Sequence, residues 1–174
     1  MTAASPIAVG TRGTYRGVPF VVRGRLQLRH ESGSTWDEWY ATFEGGKSKS
    51  AGWIACAEGR WLVTFADGAW LPAWDELRPR GRAVPAFVVA EKGTARFAAT
   101  EGKLPFAPRI GKSYRYADLR GPDGAFATID YGDDPPSLYF GREAKLADLG
   151  LEMAAGNSTP RAGGRARTTK SGGK

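Results

Sequence analysis

Apolar and polar residues alternate with a period of two over much of this chain, and turn residues punctuate the alternation. Val22, Leu26, Leu28 and His30 fall on one side of an extended segment from Val18 to His30, with Arg23, Arg25, Gln27 and Arg29 on the other. The same rhythm predicts strands over Trp36 to Phe43, Trp53 to Cys56, Trp61 to Phe65, Ala86 to Glu91, Thr94 to Thr100, Ser113 to Leu119, Ala125 to Tyr131 and Leu138 to Phe140. Turns are expected at Arg16-Gly17, Glu58-Gly59, Asp67-Gly68, Lys92-Gly93, Glu101-Gly102 and Gly121-Pro-Asp-Gly124, with a long polar hairpin loop over Glu44 to Ser50. Trp70, Trp74 and Leu77 sit at i, i+4 and i+7 and, with Pro72, predict a short helical turn. Lys145 to Leu149 fits either a last strand or one turn of helix.

About ten short strands with turns every ~8 to 12 residues, and no strand-helix-strand rhythm, predict an all-β, mainly antiparallel fold. It is a sandwich or a partly open barrel, with at most short helical turns. Residues 1 to 8 read as a disordered lead, 9 to 153 as a single β-rich domain, and 154 to 174 as a disordered basic tail. Two β sub-lobes, hinged at 78 to 85, fit the same pattern. The segments Val9-Gly-Thr and Ile110-Gly-Lys, each leading to a tyrosine, hint at two related halves.

Composition changes this picture at two points. The net charge is +7, but the tail from Ala154 to Lys174 holds five basic residues and no acidic one, which leaves +2 for residues 1 to 153. The folded part is therefore close to neutral. All six tryptophans fall between Trp36 and Trp74. Six indoles at roughly 200 Å² each exceed by about twofold the largest apolar patch that a monomer exposes, so most belong to a core. Trp39, Ala41 and Phe43 form one apolar stripe and Trp61, Val63 and Phe65 another, whereas Trp36, Glu38 and Tyr40 share the opposite face of their strand.

The segments Trp36-Asp-Glu-Trp39-Tyr40, Gly52-Trp53-Ile54, Glu101-Gly-Lys-Leu-Pro105 and Tyr139-Phe140-Gly141 resemble, in that order, the bacterial domain-of-unknown-function family 4178 over roughly residues 9 to 151. Lys103 stands where the family pattern has an acid, and Ile54 where a leucine is usual. The resemblance implies a bacterial, cytoplasmic, β-rich domain, and it brings no activity with it.

Candidate chemistry is sparse. His30 is the only histidine and Cys56 the only cysteine, so no zinc set, disulfide framework or Cys/His pair of evident proximity can be assembled. No phosphate loop occurs, and Asp133-Asp134 before two prolines reads as a turn. No catalytic residue, metal ligand or cofactor is expected, and no segment reads as an export signal or a membrane span, which points to the cytoplasm. The leading expectation is a non-catalytic binding or adaptor domain. Its site is a partly exposed aromatic surface around Trp36, Glu38 and Tyr40, a shallow groove for a protein partner or a small ligand. The alternative is a nucleic-acid-binding small barrel, with phosphate contacts from Arg23, Arg25 and Arg29 and from Arg161, Arg165 and Arg167 in the tail. A third reading is an enzyme that uses Glu38, Asp37 or Glu101 as carboxylates.

Overall fold

A computed structural model describes residues 5–45, 48–68, 71–84 and 86–152. Its strands are β1 (Arg12–Tyr15), β2 (Val18–His30), β3 (Thr35–Gly45), β4 (Ser48–Ala57), β5 (Arg60–Asp67), β6 (Arg82–Val84), β7 (Phe87–Gly102), β8 (Ser113–Arg120), β9 (Ala125–Asp130) and β10 (Ser137–Ala144). Every pairing is antiparallel, in the order β1-β2-β3-β4-β5-β10-β9-β8-β7-β6, and β2 also pairs with β7. This last pairing, from Gly24↔Gly102 to His30↔Ala95, closes β2 to β5 and β10 to β7 into an eight-stranded barrel. The additional strands β1 and β6 pair with β2 and β7. The expected all-β antiparallel fold is therefore present, and both halves of the chain contribute to one closed wall. Residues 78–81 are no free hinge: Arg80 N–H donates to the Val89 carbonyl and Val89 N–H to that of Gly81, each at 2.9 Å. No helix among the described residues is long and apolar enough to cross a membrane.

Several local expectations change. No turn forms at Lys92-Gly93, because β7 runs unbroken for 16 residues. Gly93 serves spacing instead: it lies opposite Tyr116, and a Cβ there would come within 2.9 Å of both the Tyr116 hydroxyl and His30 Nε2. The polar stretch from Glu44 to Ser50 is mostly strand, with Gly45 paired to Ser48. The helical turn is one 3-10 turn over Trp74–Glu76, and Trp70 lies outside the described residues. Further 3-10 turns cover Pro122–Gly124 and Leu146–Leu149. Ile7, within the lead expected to be disordered, is 2% exposed because it packs with Phe20, Val22 and Trp39. The basic tail lies outside the described residues. The two glycine segments do fold alike locally, with Gly10 N–H donating to Val22 and Gly111 N–H to Phe97. Chain order does not repeat, since β1 precedes its partner β2 whereas β8 follows its partner β7.

The expectation that Val22 shares a face with Leu26 and Leu28 also fails, and for an instructive reason. A bulge between Val22 and Gly24 shifts the pairing with β3, so Phe20 and Val22 oppose Phe43 and Ala41, whereas Leu26 and Leu28 oppose Glu38 and Trp36. Even-numbered residues from Phe20 to Leu28 stay buried across the bulge, because the two faces of the sheet are covered at different places. On one face Phe20, Val22, Trp39, Ala41, Phe43, Ile54 and Val63 form a core with Ile7 and Leu149, and Trp61 and Phe65 border it. This matches the two apolar stripes predicted around Trp39 and Val63. A second core joins Val89, Ala117, Leu119, Ala127, Ile129 and Leu138 beneath a strap that contributes Leu71, Trp74 and Leu77.

The strap carries its own ties. Lys92 Nζ donates to the carbonyls of Trp74 and Leu77 at 3.0 and 3.1 Å and lies 4.2 Å above the Trp74 ring. The Tyr131 hydroxyl donates to the Pro72 carbonyl at 2.9 Å. Leu77 is 1% exposed and is the strap's main anchor. Leu77→Ala should therefore lower stability by about 2 to 5 kcal/mol in urea unfolding. A loss below about 0.5 kcal/mol, the size of an ordinary surface change, would mean that the strap is not packed in this way.

Candidate functional site

All eight barrel strands turn side chains into a shared cavity of about 480 Å³. Eight strands enclose a space that side chains can fill or that can hold one small ligand. Here filling is incomplete, because Ala55 on β4, Thr64 on β5 and Thr128 on β9 are short where the lining could have been bulky. Register places Glu38, Ala55 and Leu62 side by side across β3, β4 and β5, and likewise Asp118, Thr128 and Tyr139 across β8, β9 and β10.

The two ends of the cavity differ. Exposed Ser32, Ser34, Glu58, Arg60 and Glu91 line it at one end, which forms an open rim. Phe106 closes the other end, its ring centroid 6.2 Å from that of Trp53 and 6.1 Å from that of Phe97. The segment carrying Phe106 crosses close to β2 because position 24 is glycine: a Cβ there would lie 2.4 Å from the Lys103 carbonyl oxygen. At the rim, Tyr116 donates to Glu91 at 2.8 Å, and the same carboxylate oxygen lies 3.7 Å from His30 Nε2. Ser32 N–H donates to His30 Nδ1 at 3.1 Å, which leaves the proton of a neutral ring on Nε2, facing Glu91. Rim cations have partners, Arg60 with Glu58 at 3.6 Å and Arg120 with Glu143 at 3.7 Å.

Among the described residues, three carboxylates line the interior. Burial pushes Glu38 from its ordinary 4.5 up to about 7, with Asp118 and Asp130 adding repulsion and the Trp36 indole, which donates to Glu38 at 3.0 Å, pulling the other way. Burial likewise raises Asp118 to about 6 against a hydrogen bond from Thr128, and Asp130 to about 6 against the Gly132 N–H at 2.6 Å. None of the three lies within ion-pair distance of a lysine or arginine among the described residues. Nor do three His, Cys, Asp or Glu groups among the described residues converge closely enough for a metal ion, so the acids are spread through the space. Burial also raises the Tyr114 and Tyr139 hydroxyls. The Tyr114 hydroxyl, deep in the cavity, has no hydrogen-bond partner among the described residues.

Trp36 and Glu38 are thus together, as their shared face requires, but that face looks into the barrel and is not a solvated groove. Tyr40 does not line the cavity; it packs on Trp53, with centroids 5.4 Å apart. The arginines do not form one stripe, because the bulge at Arg23 separates them. Arg23 donates to Thr42 at 2.9 Å, Arg25 pairs with Asp37 at 2.8 Å and approaches Glu101 at 3.9 Å, and Arg29 is exposed. Arg161, Arg165 and Arg167 lie outside the described residues. Asp37 and Glu101 gather on Arg25, on the side of the sheet away from Glu38, so the three carboxylates of an enzyme reading do not converge. Sequence reasoning missed Tyr114, Asp118 and Asp130. Their signal lay in the alternations Tyr114-x-Tyr116-x-Asp118-x-Arg120 and Phe126-x-Thr128-x-Asp130, which carry the same mixture of rings and acids as Trp36-x-Glu38.

The family model described as "Domain of unknown function (DUF4178)" matches residues 8–145, which takes in every strand of the barrel. The chain belongs to the DUF4178 family. No curated protein and no solved structure matches it. For this DUF4178 chain the cavity is consequently the main guide to function.

Ionised Glu38 costs stability. Its folded-state pKa lies above the unfolded value, so the folded chain holds an extra proton between pH 4.5 and about 7 and loses stability as pH rises through that window. Glu38→Gln keeps an acceptor for Trp36 and removes the charge. It should be more stable than wild type at pH 8, by at most about 3 kcal/mol, and the gain should vanish near pH 4.5. Parallel melting curves from pH 4 to 8 read this directly, and a pH-independent difference would contradict it.

Proposed function

We propose that the chain is a non-catalytic binding domain whose barrel holds a small molecule. The observation that carries this reading is the cavity of about 480 Å³, open at a polar rim and closed at the far end by Phe106. Its size lies within the range of small-ligand sites, and its lining mixes aromatic walls with a few polar groups. Trp36, Trp53, Phe97, Tyr114 and Tyr139 supply surface for an apolar body. Glu38, Asp118, Asp130, Thr64 and the Tyr114 hydroxyl supply directional contacts within the same space. This refines the expected aromatic surface around Trp36 and Glu38 by giving it an interior, which favours a small ligand over a protein partner.

Ala55 offers a clean test, since its Cβ faces the cavity between Glu38 and Leu62. Ala55→Phe should fill much of the space while leaving the strand pairing intact. In a fragment screen by saturation-transfer NMR, wild type should yield binders that Ala55→Phe loses by about tenfold or more in affinity, both proteins showing the same far-ultraviolet spectrum. Binders that tolerate Ala55→Phe unchanged would place binding elsewhere and reject the cavity.

A further inference from the structure

The chemistry of the cavity says more than that it can hold something. The interior contains Glu38, Asp118 and Asp130, yet among the described residues the lining includes no lysine, and its two arginines, Arg60 and Arg120, stand at the rim beside Glu58 and Glu143. A buried carboxylate ordinarily has a cationic partner or a full set of hydrogen bonds. Glu38 has one donor, the Trp36 indole, and the Tyr114 hydroxyl nearby is unpartnered among the described residues. The walls beside these acids are aromatic, and an aromatic face attracts a cation through its quadrupole. Among the described residues no cation stands in the interior beside these acids, and the complement to the site is a positive charge attached to an apolar body.

We infer that the ligand is an organic cation, a molecule whose protonated amine sits against Glu38, in the field of the more distant Asp118 and Asp130, and whose carbon skeleton lies against Trp36 and Tyr114. This rests on the reading of the cavity as a ligand site. The amine donates its N–H groups to carboxylate oxygens, and no covalent step is involved. A carboxylate or phosphate ligand meets repulsion from the same three acids, and a neutral alcohol leaves their charge uncompensated.

Affinity should follow the ionisation of the acids. Glu38 faces Asp118, Asp130, Tyr114 and Tyr139, with Trp36 as its donor. Asp118 feels Glu91, Arg120 and Arg60, and Asp130 feels Asp133 and Lys112. An alkylammonium stays protonated throughout the neutral range. Binding should therefore strengthen as pH rises through about 6 to 7, where Glu38, Asp118 and Asp130 lose their protons.

The test uses three probes of similar size, 2-phenylethylammonium, 2-phenylethanol and 3-phenylpropanoate, titrated calorimetrically into the full chain at pH 8 and pH 5.5. The ammonium probe should bind at least about tenfold more tightly than either congener at pH 8, and about tenfold more weakly at pH 5.5 than at pH 8. Glu38→Gln should weaken ammonium binding about tenfold, and Asp118→Asn provides the same comparison should the first variant misfold. Equal or tighter binding of the alcohol or the carboxylate, lost in Ala55→Phe, would overturn the cation and leave the cavity reading standing. Ammonium affinity unchanged by both substitutions and by pH would also overturn it. Failure of every probe and of every fragment in the NMR screen would remove the cavity reading itself.

Discussion

Pairing of β2 with β7 commits one face of every barrel strand to an enclosed space. A sheet left open between those strands could set Glu38, Asp118 and Asp130 in water, where each would behave as an ordinary surface acid. Closure removes that option, and it also removes the free edges that β2 and β7 would otherwise present. The cavity, its displaced acidities and the polar rim all follow from the same set of backbone hydrogen bonds.

The interior is expensive to maintain, and the sheet compensates on its other face. Trp39 stacks on Trp61 with centroids 5.8 Å apart, Phe43 meets Phe20 at 5.4 Å and Phe65 at 5.0 Å, and the Leu77 strap covers β8 to β10. Most of the apolar burial thus lies outside the cavity. Such a division separates stability from recognition: residues lining the interior can carry charge because the packing that holds the wall together is elsewhere.

Much of the fold was legible in the sequence because alternation and turn chemistry are local. The stripes containing Trp39 and Val63 are as written, and hairpins form at Arg16-Gly17 and Glu58-Gly59. Alternation does not say which face is enclosed. Trp36, Glu38 and Tyr40 read as a solvated face because rings and an acid alternate there, and only pairing over long sequence separations turns that face inward. The bulge at Arg23 adds a second ambiguity, since burial keeps its period while the face changes. Lys92-Gly93 resembles a turn locally for a related reason: the small size of Gly93 answers to His30 and Tyr116, which no local pattern connects to it. The acids on β8 and β9 escaped notice for want of the same long-range pairing.

The contact between the Trp36 indole and Glu38 has a practical side. An indole N–H that donates to a carboxylate experiences a different field when that group takes up a proton, so its proton resonance and its emission wavelength should both move. Trp39, Trp53, Trp61 and Trp74 make no such contact with an acid among their described interactions. The barrel therefore contains a built-in optical and magnetic gauge of its own internal charge, readable without a label.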